Sequence, residues 1–544
     1  MFPVDADSRR RLLLAGAVLL AVVAGITAYV KLTGNDEQPP VEEGALVEGL
    51  AGTWQRINPL FANLNEVDED ISALVFAGLL VRTPDGSVEP GMAELPEISP
   101  DGRTYTFHLR DGLFWHDGQP VTSADVAFTI DAITDPDFHG DPALAEPWSA
   151  IEVQAPDART VVFVLPQPLA SFAARYATIG IVPEHVLGGL TATALFEGPF
   201  NQEPIGSGPY RLTRLGAGEA LLEAFPQFYE GKPAIERIRL RFFPDYPSAT
   251  SALAAGDLDT LMLREPLTPT RLAEMQSIEG IDLLTYQRDA YLVLYLNNDD
   301  ARFSDPRVRR AISLAIDRRA LAADQFAGVA TASASVIAPG TWAYAGLYDE
   351  RARNLSAARQ LLDDAGWTVS AATGIRTKEG SELRFTIRTD NDAQRTGIAT
   401  AIAESLDGLG IRATVAATTF LVLQRDFLRE RRYDAALAGW DQGGDPDPYF
   451  GWHSSQLGTA GLNLANFRDV VSDELIATAR QSTDMEVRKE LYRQLQEQWA
   501  KLAPSVVLLY PQYLYAVRHG LEGPVAGALA VPADRFAHVY LWKQ

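Results

Sequence analysis

Short segments rich in β-branched and aromatic residues recur along the chain, and Gly, Pro or Asp bound them. Runs of about four to eight such residues between turn-forming residues are typical of β-strands. The clearest predicted strands are residues 104–109, 160–165, 237–243, 292–296 and 505–510.

Other segments carry apolar residues at the helical spacing that places them on one face. The predicted helices are residues 306–323, 356–365, 396–409 and 486–502. Strands and helices alternate from Gly44 onward, which predicts a mixed α/β fold with sheets flanked by helices.

The N-terminus carries a hydrophobic run of a different kind. Three arginines at positions 9–11 precede the uncharged residues 12–30, and an acidic segment follows. At about 1.5 Å per residue, this run matches the hydrocarbon thickness of a bilayer, about 30 Å. We expect a cytoplasmic stub (1–11), a single-pass transmembrane anchor (12–30) and a tether (31–43). A cleavable signal peptide is the alternative, and both interpretations place the folded part outside the cytoplasm.

The composition narrows the functions open to the chain. Its 544 residues carry a formal net charge of −24 and include no Cys. Nucleic-acid binding needs a basic face and is therefore not expected. The absence of Cys excludes disulfides, thiolate metal sites and lipid attachment at a Cys. Neither an HExxH pair nor a Walker A sequence occurs. We therefore expect a protein that holds no metal ion or cofactor and is not an enzyme.

Two conspicuous motifs predict local structure rather than chemistry. Asp101-Gly102 is a hairpin signal between extended runs, and a helix is expected to start near Thr122. Ser207 lies between Gly206 and Gly208 and is followed by a proline. This spacing differs from that of a nucleophile elbow and indicates a tight turn that leads into a strand.

The segment 439–450, GWDQGGDPDPYF, follows an apolar strand-like run and is the candidate binding loop. Its Gly and Pro content is incompatible with regular helix or central strand. The loop can therefore offer backbone groups to an extended ligand, with Trp440 as an apolar wall. Asp441 or Asp445 can bind a ligand ammonium. The alternative is a capped turn stabilised by Asx hydrogen bonds.

Five blocks of the sequence, in order, resemble one protein family. They are residues 58–80, 89–129, 204–212, 303–317 and 433–450. Together they are similar to the family-5 extracytoplasmic solute-binding proteins of ABC transporters, the dipeptide, oligopeptide and nickel class. The resemblance covers essentially everything after the tether.

The resemblance implies a two-lobed, periplasmic-binding-protein-like type II fold. Lobe 1 would comprise residues 44–291 and 508–544, with an extra inserted subdomain at about 82–190. Lobe 2 would comprise residues 292–507. The two crossings between lobes would form a hinge that allows rigid-body closure on a ligand.

The resemblance also implies a function and a site. The protein would be a monomer that captures di- or oligopeptides and delivers them to an ABC permease served by separate ATPase subunits. Trp54 and Asn58 would lie on the wall facing the loop, and Arg388 lies near the carboxylate-clamping Arg of some dipeptide binders. The amine-binding Asp of characterised peptide binders corresponds to Gly443, so the ligand amine would need Asp441 or Asp445.

Other functions stay open from sequence alone. The same fold can bind an oligosaccharide, a metal chelate or another small solute. It can also serve as a surface sensor or chaperone. An extracellular hydrolase would need an acid–base pair, which the sequence does not reveal.

Overall fold

The computed structural model describes residues 44–346 and 353–544. The predicted anchor and tether lie outside these ranges. Among the helices within them, we find none with both the length and the apolar character required to cross a membrane.

The strands up to the middle of the chain are β1 (Ala45–Ala51), β2 (Leu80–Arg82), β3 (Val88–Pro90), β4 (Glu97–Ile98), β5 (Thr104–His108), β6 (Glu152–Asp157), β7 (Thr160–Val164), β8 (Tyr210–Leu215), β9 (Glu219–Ala224), β10 (Arg237–Phe243), β11 (Thr260–Leu263) and β12 (Ile281–Arg288). The later strands are β13 (Ala290–Leu296), β14 (Ala330–Ala332), β15 (Thr368–Val369), β16 (Arg376–Lys378), β17 (Ser381–Glu382), β18 (Arg384–Asp390), β19 (Arg412–Thr418), β20 (Ala435–Asp441), β21 (Val506–Arg518) and β22 (Ala528–Leu529).

The main helices, those of eight or more residues, pack on these strands. They are α1 (Glu66–Val75), α2 (Ser123–Thr134), α3 (Tyr246–Ala255), α4 (Pro269–Gln276), α5 (Pro306–Ala315), α6 (Arg318–Phe326), α7 (Leu355–Asp364), α8 (Ala393–Asp407), α9 (Val470–Gln481) and α10 (Met485–Leu502).

One long strand, β21, belongs to both halves of the principal sheet. Its first residues pair with β13 and β14, and its last residues pair with β11 and β12. We call the β1–β12 side, with β22 and the end of β21, lobe 1. The β13–β20 side, with the start of β21, is lobe 2. The lobes meet where β12 passes into β13 at Asp289 and where β21 changes partner between Leu509 and Gln512.

Lobe 2 has apolar layers on both faces of its sheet, and β13 shows how the sequence produces them. Leu292, Leu294 and Leu296 join one core cluster, whereas Val293 and Tyr295 join another. Successive side chains of a strand point to opposite faces, so a strand buried on both faces is apolar at every position.

The region after β2 adds a separate four-stranded sheet, ordered β4-β5-β7-β6, with α2 packed against it. The predicted turn at Asp101-Gly102 lies between β4 and β5, and Gly102 adopts a φ of 67°. Helix α2 begins directly after Thr122, which forms a capping box with Asp125.

Two predicted elements differ from the structure. The expected single helix at 306–323 is two helices, because Ile316 is extended and Asp317 caps α6 by accepting the Ala320 N–H at 3.0 Å. The expected strand at 505–510 continues to Arg518, since its second half pairs in lobe 1. Local patterns do not reveal a partner so far away along the chain.

The Gly206-Ser207-Gly208 motif packs against α1. A side-chain carbon at position 206 would lie only 1.9 Å from the Val75 carbonyl oxygen, so glycine is required there. Ser207 is buried, and its hydroxyl lies 3.4 Å from the Met92 sulfur. The motif therefore serves close packing in lobe 1.

Candidate functional site

The carboxyl ends of three strands border a space between the lobes, which we call the cleft cavity. Its empty volume is about 780 Å³, part of it open to solvent. Loops after β11 and β18 contribute Arg264 and Asp392 to its lining, and β20 itself contributes Gly439. Arg288 and Tyr291, on either side of the crossing between lobes, also line it. Ligands of open α/β sheets bind in such crevices outside the carboxyl ends of strands.

Strand β20 presents an unpaired edge beside this cavity. Its parallel neighbour β18 pairs with it only at Ala435 and Ala436, and then stays with β19 as far as Asp390. On its other side, β20 is paired with β13 out to Asp441. Within residues 44–346 and 353–544, no strand pairs with the outer edge of residues 437–441. An extended chain can add to such an edge.

The loop after β20, residues 442–448, which we call the cleft loop, is fixed to the lobe crossing by Asp289. The Gln442 N–H donates to the Asp289 carbonyl oxygen at 2.9 Å, and the Gly444 N–H donates to its Oδ2 at 2.6 Å. Gly443 and Gly444 have φ values of 71° and 86°, which favour glycine. The sequence GG thus allows the loop to turn back onto the hinge.

Two carboxylates of the cleft loop form ion pairs within lobe 2. Asp445 Oδ1 lies 2.7 Å from Arg488 Nη2, and both side chains are buried. Asp447 pairs with Arg480. Asp441, just before the loop, accepts the Gly443 N–H at 3.0 Å. Loss of solvent raises the pKa of Asp441, while the Gly443 N–H and the Arg288 guanidinium oppose that shift.

The two lobes also touch directly near the loop. Arg175 of lobe 1 donates from Nη2 to the Gln442 carbonyl oxygen at 2.7 Å. Farther along, the Ala170 N–H donates to the Arg480 carbonyl oxygen at 2.8 Å. These hydrogen bonds join the lobes directly on one side of the cleft.

Trp440 is partly buried at the end of β20, opposite Tyr291 of β13. Its ring lies against Gly451, where a side-chain carbon would come within 3.1 Å of it. The glycine therefore leaves space for the indole. Trp440, Asp441, Gly443 and Asp445 lie close together along the chain, at the end of β20 and in the cleft loop. None of the four lines the cleft cavity, whereas Asp445 borders a second space described below.

The other sequence-predicted residues lie elsewhere. Trp54 donates from Nε1 to the Gly216 carbonyl oxygen at 2.9 Å within lobe 1. Asn58 is fully buried and donates to Asn201 Oδ1 at 3.0 Å. Arg388 places its guanidinium 4.0 Å from the Phe427 ring centroid on lobe 2. None of the three lines the cleft cavity.

The structure adds charged residues that sequence reasoning missed. Arg288 lines the cleft cavity, and Asp289 lines a second space of about 390 Å³ bordered by the cleft loop. Burial raises the pKa of Asp289 to about 7, and the negative charge of Asp441 contributes to this rise. The hydrogen bond from the Gly444 N–H acts in the opposite direction and lowers this pKa. One signal was present in the sequence: this charged pair interrupts an otherwise extended, largely apolar stretch, 281–296.

Comparison with known proteins gives consistent matches over nearly the whole chain. The family model for bacterial extracellular solute-binding proteins, family 5 middle, matches residues 87–461. Protein XP55 of Streptomyces lividans is 32% identical over 518 residues, which cover 94% of this chain and 91% of that protein. The oligopeptide-binding protein AppA of Bacillus subtilis is 26% identical over 515 residues, 93% of each chain.

Solved structures agree with these sequence matches. AppA in complex with a nonapeptide aligns with a TM-score of 0.63 at 26% identity, over 92% of this chain and 98% of AppA. NikZ from Campylobacter jejuni in complex with Ni(L-His) aligns with a TM-score of 0.67 at 25% identity, over 93% of this chain and 100% of NikZ. The lobes described above thus form a periplasmic-binding-protein-like fold. The chain belongs to the bacterial extracellular solute-binding proteins of family 5, the solute-binding components of ABC importers.

Proposed function

We propose that the protein captures di- or oligopeptides between its lobes and delivers them to a membrane permease, without catalysing a reaction. The observation that carries this proposal is the unpaired outer edge of residues 437–441 beside the cleft cavity. A peptide lying there would form main-chain hydrogen bonds with β20. Such bonds do not depend on side-chain identity, so many sequences can be accepted.

The surrounding residues suit a guest held by contacts to both lobes. Trp440 would supply an apolar wall, while Asp441, Gly443 and Asp445 shape the end of the cleft. Trp54, Asn58 and Arg388 would act at most indirectly, since contacts within their own lobes hold them. The complex of AppA with a nonapeptide supports a peptide as the guest.

Delivery would depend on opening and closing of the lobes. The two crossings at Asp289 and near Pro511 are the hinge in this proposal. They lie a few residues from the lobe limits predicted from the sequence, 44–291 with 508–544 and 292–507. The region at about 82–190 would be the inserted subdomain. A ligand that contacts both lobes favours the closed form by its differential affinity. A permease with separate ATPase subunits would receive the ligand.

The location and assembly of the protein complete the proposal. The folded part would be extracytoplasmic, held at the bacterial membrane by residues 12–30, and it would act as a monomer. Membrane fractionation and mass analysis of the mature N-terminus test the anchor. Recovery of a soluble protein that starts after residue 28 would instead indicate signal-peptide cleavage.

Native mass spectrometry of the purified full chain tests the peptide proposal. We expect bound peptides to co-purify, and isothermal titration with them to give saturable binding. Trp440→Ala should weaken binding about tenfold or more, as loss of a buried aromatic anchor does. Phe420→Ala is the matched control, because its ring is 52% exposed on lobe 2 and the residue belongs to neither β20 nor the cleft loop. Stabilisation by a sugar or a metal chelate, with none by any peptide, would contradict the proposal.

A further inference from the structure

The cations that line the cleft cavity differ in how they are paired. Arg264 forms an ion pair with the buried Asp70, and Arg395 forms one with Asp390. Each of these guanidiniums therefore already has a carboxylate partner within its own lobe. A ligand anion near them would have to compete with a protein carboxylate.

Arg288 is the exception among these lining arginines. Its guanidinium carbon lies 4.9 Å from the centroid of the Tyr513 ring, a cation–π contact. Within the described ranges it forms no ion pair, although its charge acts on the Asp441 carboxylate. Its buried Nε donates no hydrogen bond there. A buried donor without an acceptor is costly, so this position favours any ligand that brings one.

The position of Arg288 makes it accessible to a ligand held between the lobes. It is the last residue of β12, directly before the crossing into lobe 2, and Ala290 and Gly439 line the same cavity. A ligand that follows the unpaired edge of β20 past Gly439 would bring one end toward the guanidinium. The contact with the Tyr513 ring limits where the guanidinium can move.

We infer that Arg288 binds a carboxylate of the ligand, and that in a peptide without acidic side chains this is the C-terminal carboxylate. The inference deepens the proposed function and rests on it. A guanidinium presents paired N–H donors that match both oxygens of a carboxylate. The chain would then select ligands with a free carboxylate and discriminate against the same ligands as amides.

The test uses two synthetic peptide pools without Asp or Glu, identical in sequence and made as free acids or as C-terminal amides. Native mass spectrometry and titration with the full chain measure binding of both pools. Free acids should bind about 10- to 100-fold more tightly than amides to the unmodified protein. In Arg288→Gln this preference should fall to less than about threefold, because only free-acid binding weakens. Arg288→Lys should keep an intermediate preference, since it retains the charge without the planar fork.

Arg425→Gln is the control variant, because Arg425 is largely exposed and pairs only with its neighbour Asp426 among described residues. It should keep the full preference for free acids. Equal binding of acids and amides by the unmodified protein, or an unchanged preference in both Arg288 variants, would overturn the inference while peptide capture stands. Binding of neither pool would refute peptide capture and the inference together.

Discussion

The buried ion pair between Asp445 and Arg488 is one of the contacts that hold the cleft loop, and its removal should destabilise the protein. The paired atoms are 2.7 Å apart, and the side chains are only 2% and 3% exposed. Arg488 also donates to the Tyr492 hydroxyl at 3.2 Å and faces the Trp342 ring at 4.9 Å. Burial alone would lower the pKa of Arg488, but Asp445 and Tyr492 outweigh burial and keep that pKa above its usual value.

Arg488→Met removes the cation and keeps much of the apolar stem. It leaves the Asp445 carboxylate buried without its partner, which typically costs about 3–5 kcal/mol of unfolding free energy. The double variant Asp445→Asn with Arg488→Met carries neither charge. We expect it to recover most of that loss, because replacing a whole buried pair is often nearly neutral.

Denaturant unfolding followed by tryptophan fluorescence measures these differences. Arg493→Met is the matched control on the same helix, where the side chain is 40% exposed and pairs with Glu490 and Glu497. It should cost less than about 1 kcal/mol, as exposed pairs do. Similar losses in the Arg488 and Arg493 variants, or a double variant no more stable than the single one, would refute this reasoning.

Three further changes test other contacts of the cleft. Burial raises the pKa of Asp289 to about 7, so the contribution of this residue to stability falls as the pH rises from about 4 to 7. Asp289→Asn should therefore reduce the drop in Tm between pH 5 and pH 8. An unchanged drop would contradict this assignment. Gly444→Ala should lower Tm, because the residue has a φ of 86° and its side-chain carbon would lie 3.0 Å from Arg82 Nε; a neutral effect would show that the loop conformation is not needed. Arg175→Gln removes the hydrogen bond to the Gln442 carbonyl oxygen. Without ligand, this variant should have a larger radius of gyration in small-angle X-ray scattering than the unmodified protein. An unchanged radius would show that this contact does not hold the lobes together.

Much of the fold could be predicted because its signals are local. The capping box at Thr122 and the turn at Asp101-Gly102 each involve residues only a few positions apart. Helix α10 carries apolar residues at the helical spacing, because one of its faces is buried. Strand β13 is apolar at nearly every position, because both of its faces are buried. The break before Asp317 was missed because the apolar face continues across it, and only the cap separates the two helices.

The site was less predictable, because the sequence shows that a residue is charged but does not show which residue it pairs with in the fold. Asp445 resembles a ligand-binding carboxylate in sequence, yet its partner Arg488 lies 43 positions away. Asn58 resembles a cleft residue, but Asn201 holds it in the interior of lobe 1. Conversely, Arg288 has no motif around it, and only the fold places it beside Arg264, Asp392 and Gly439 at one cavity.

The pairing of β21 with partners in both lobes has a consequence for synthesis of the chain. Residues 506–518 supply an inner strand to each half of the principal sheet, yet they lie far beyond β11 and β13 along the chain. Until they emerge, β13 and β11 each lack a neighbour, and neither half of that sheet can be completed. Each half of the principal sheet therefore reaches its native pairing only after residues 506–518 have been synthesised.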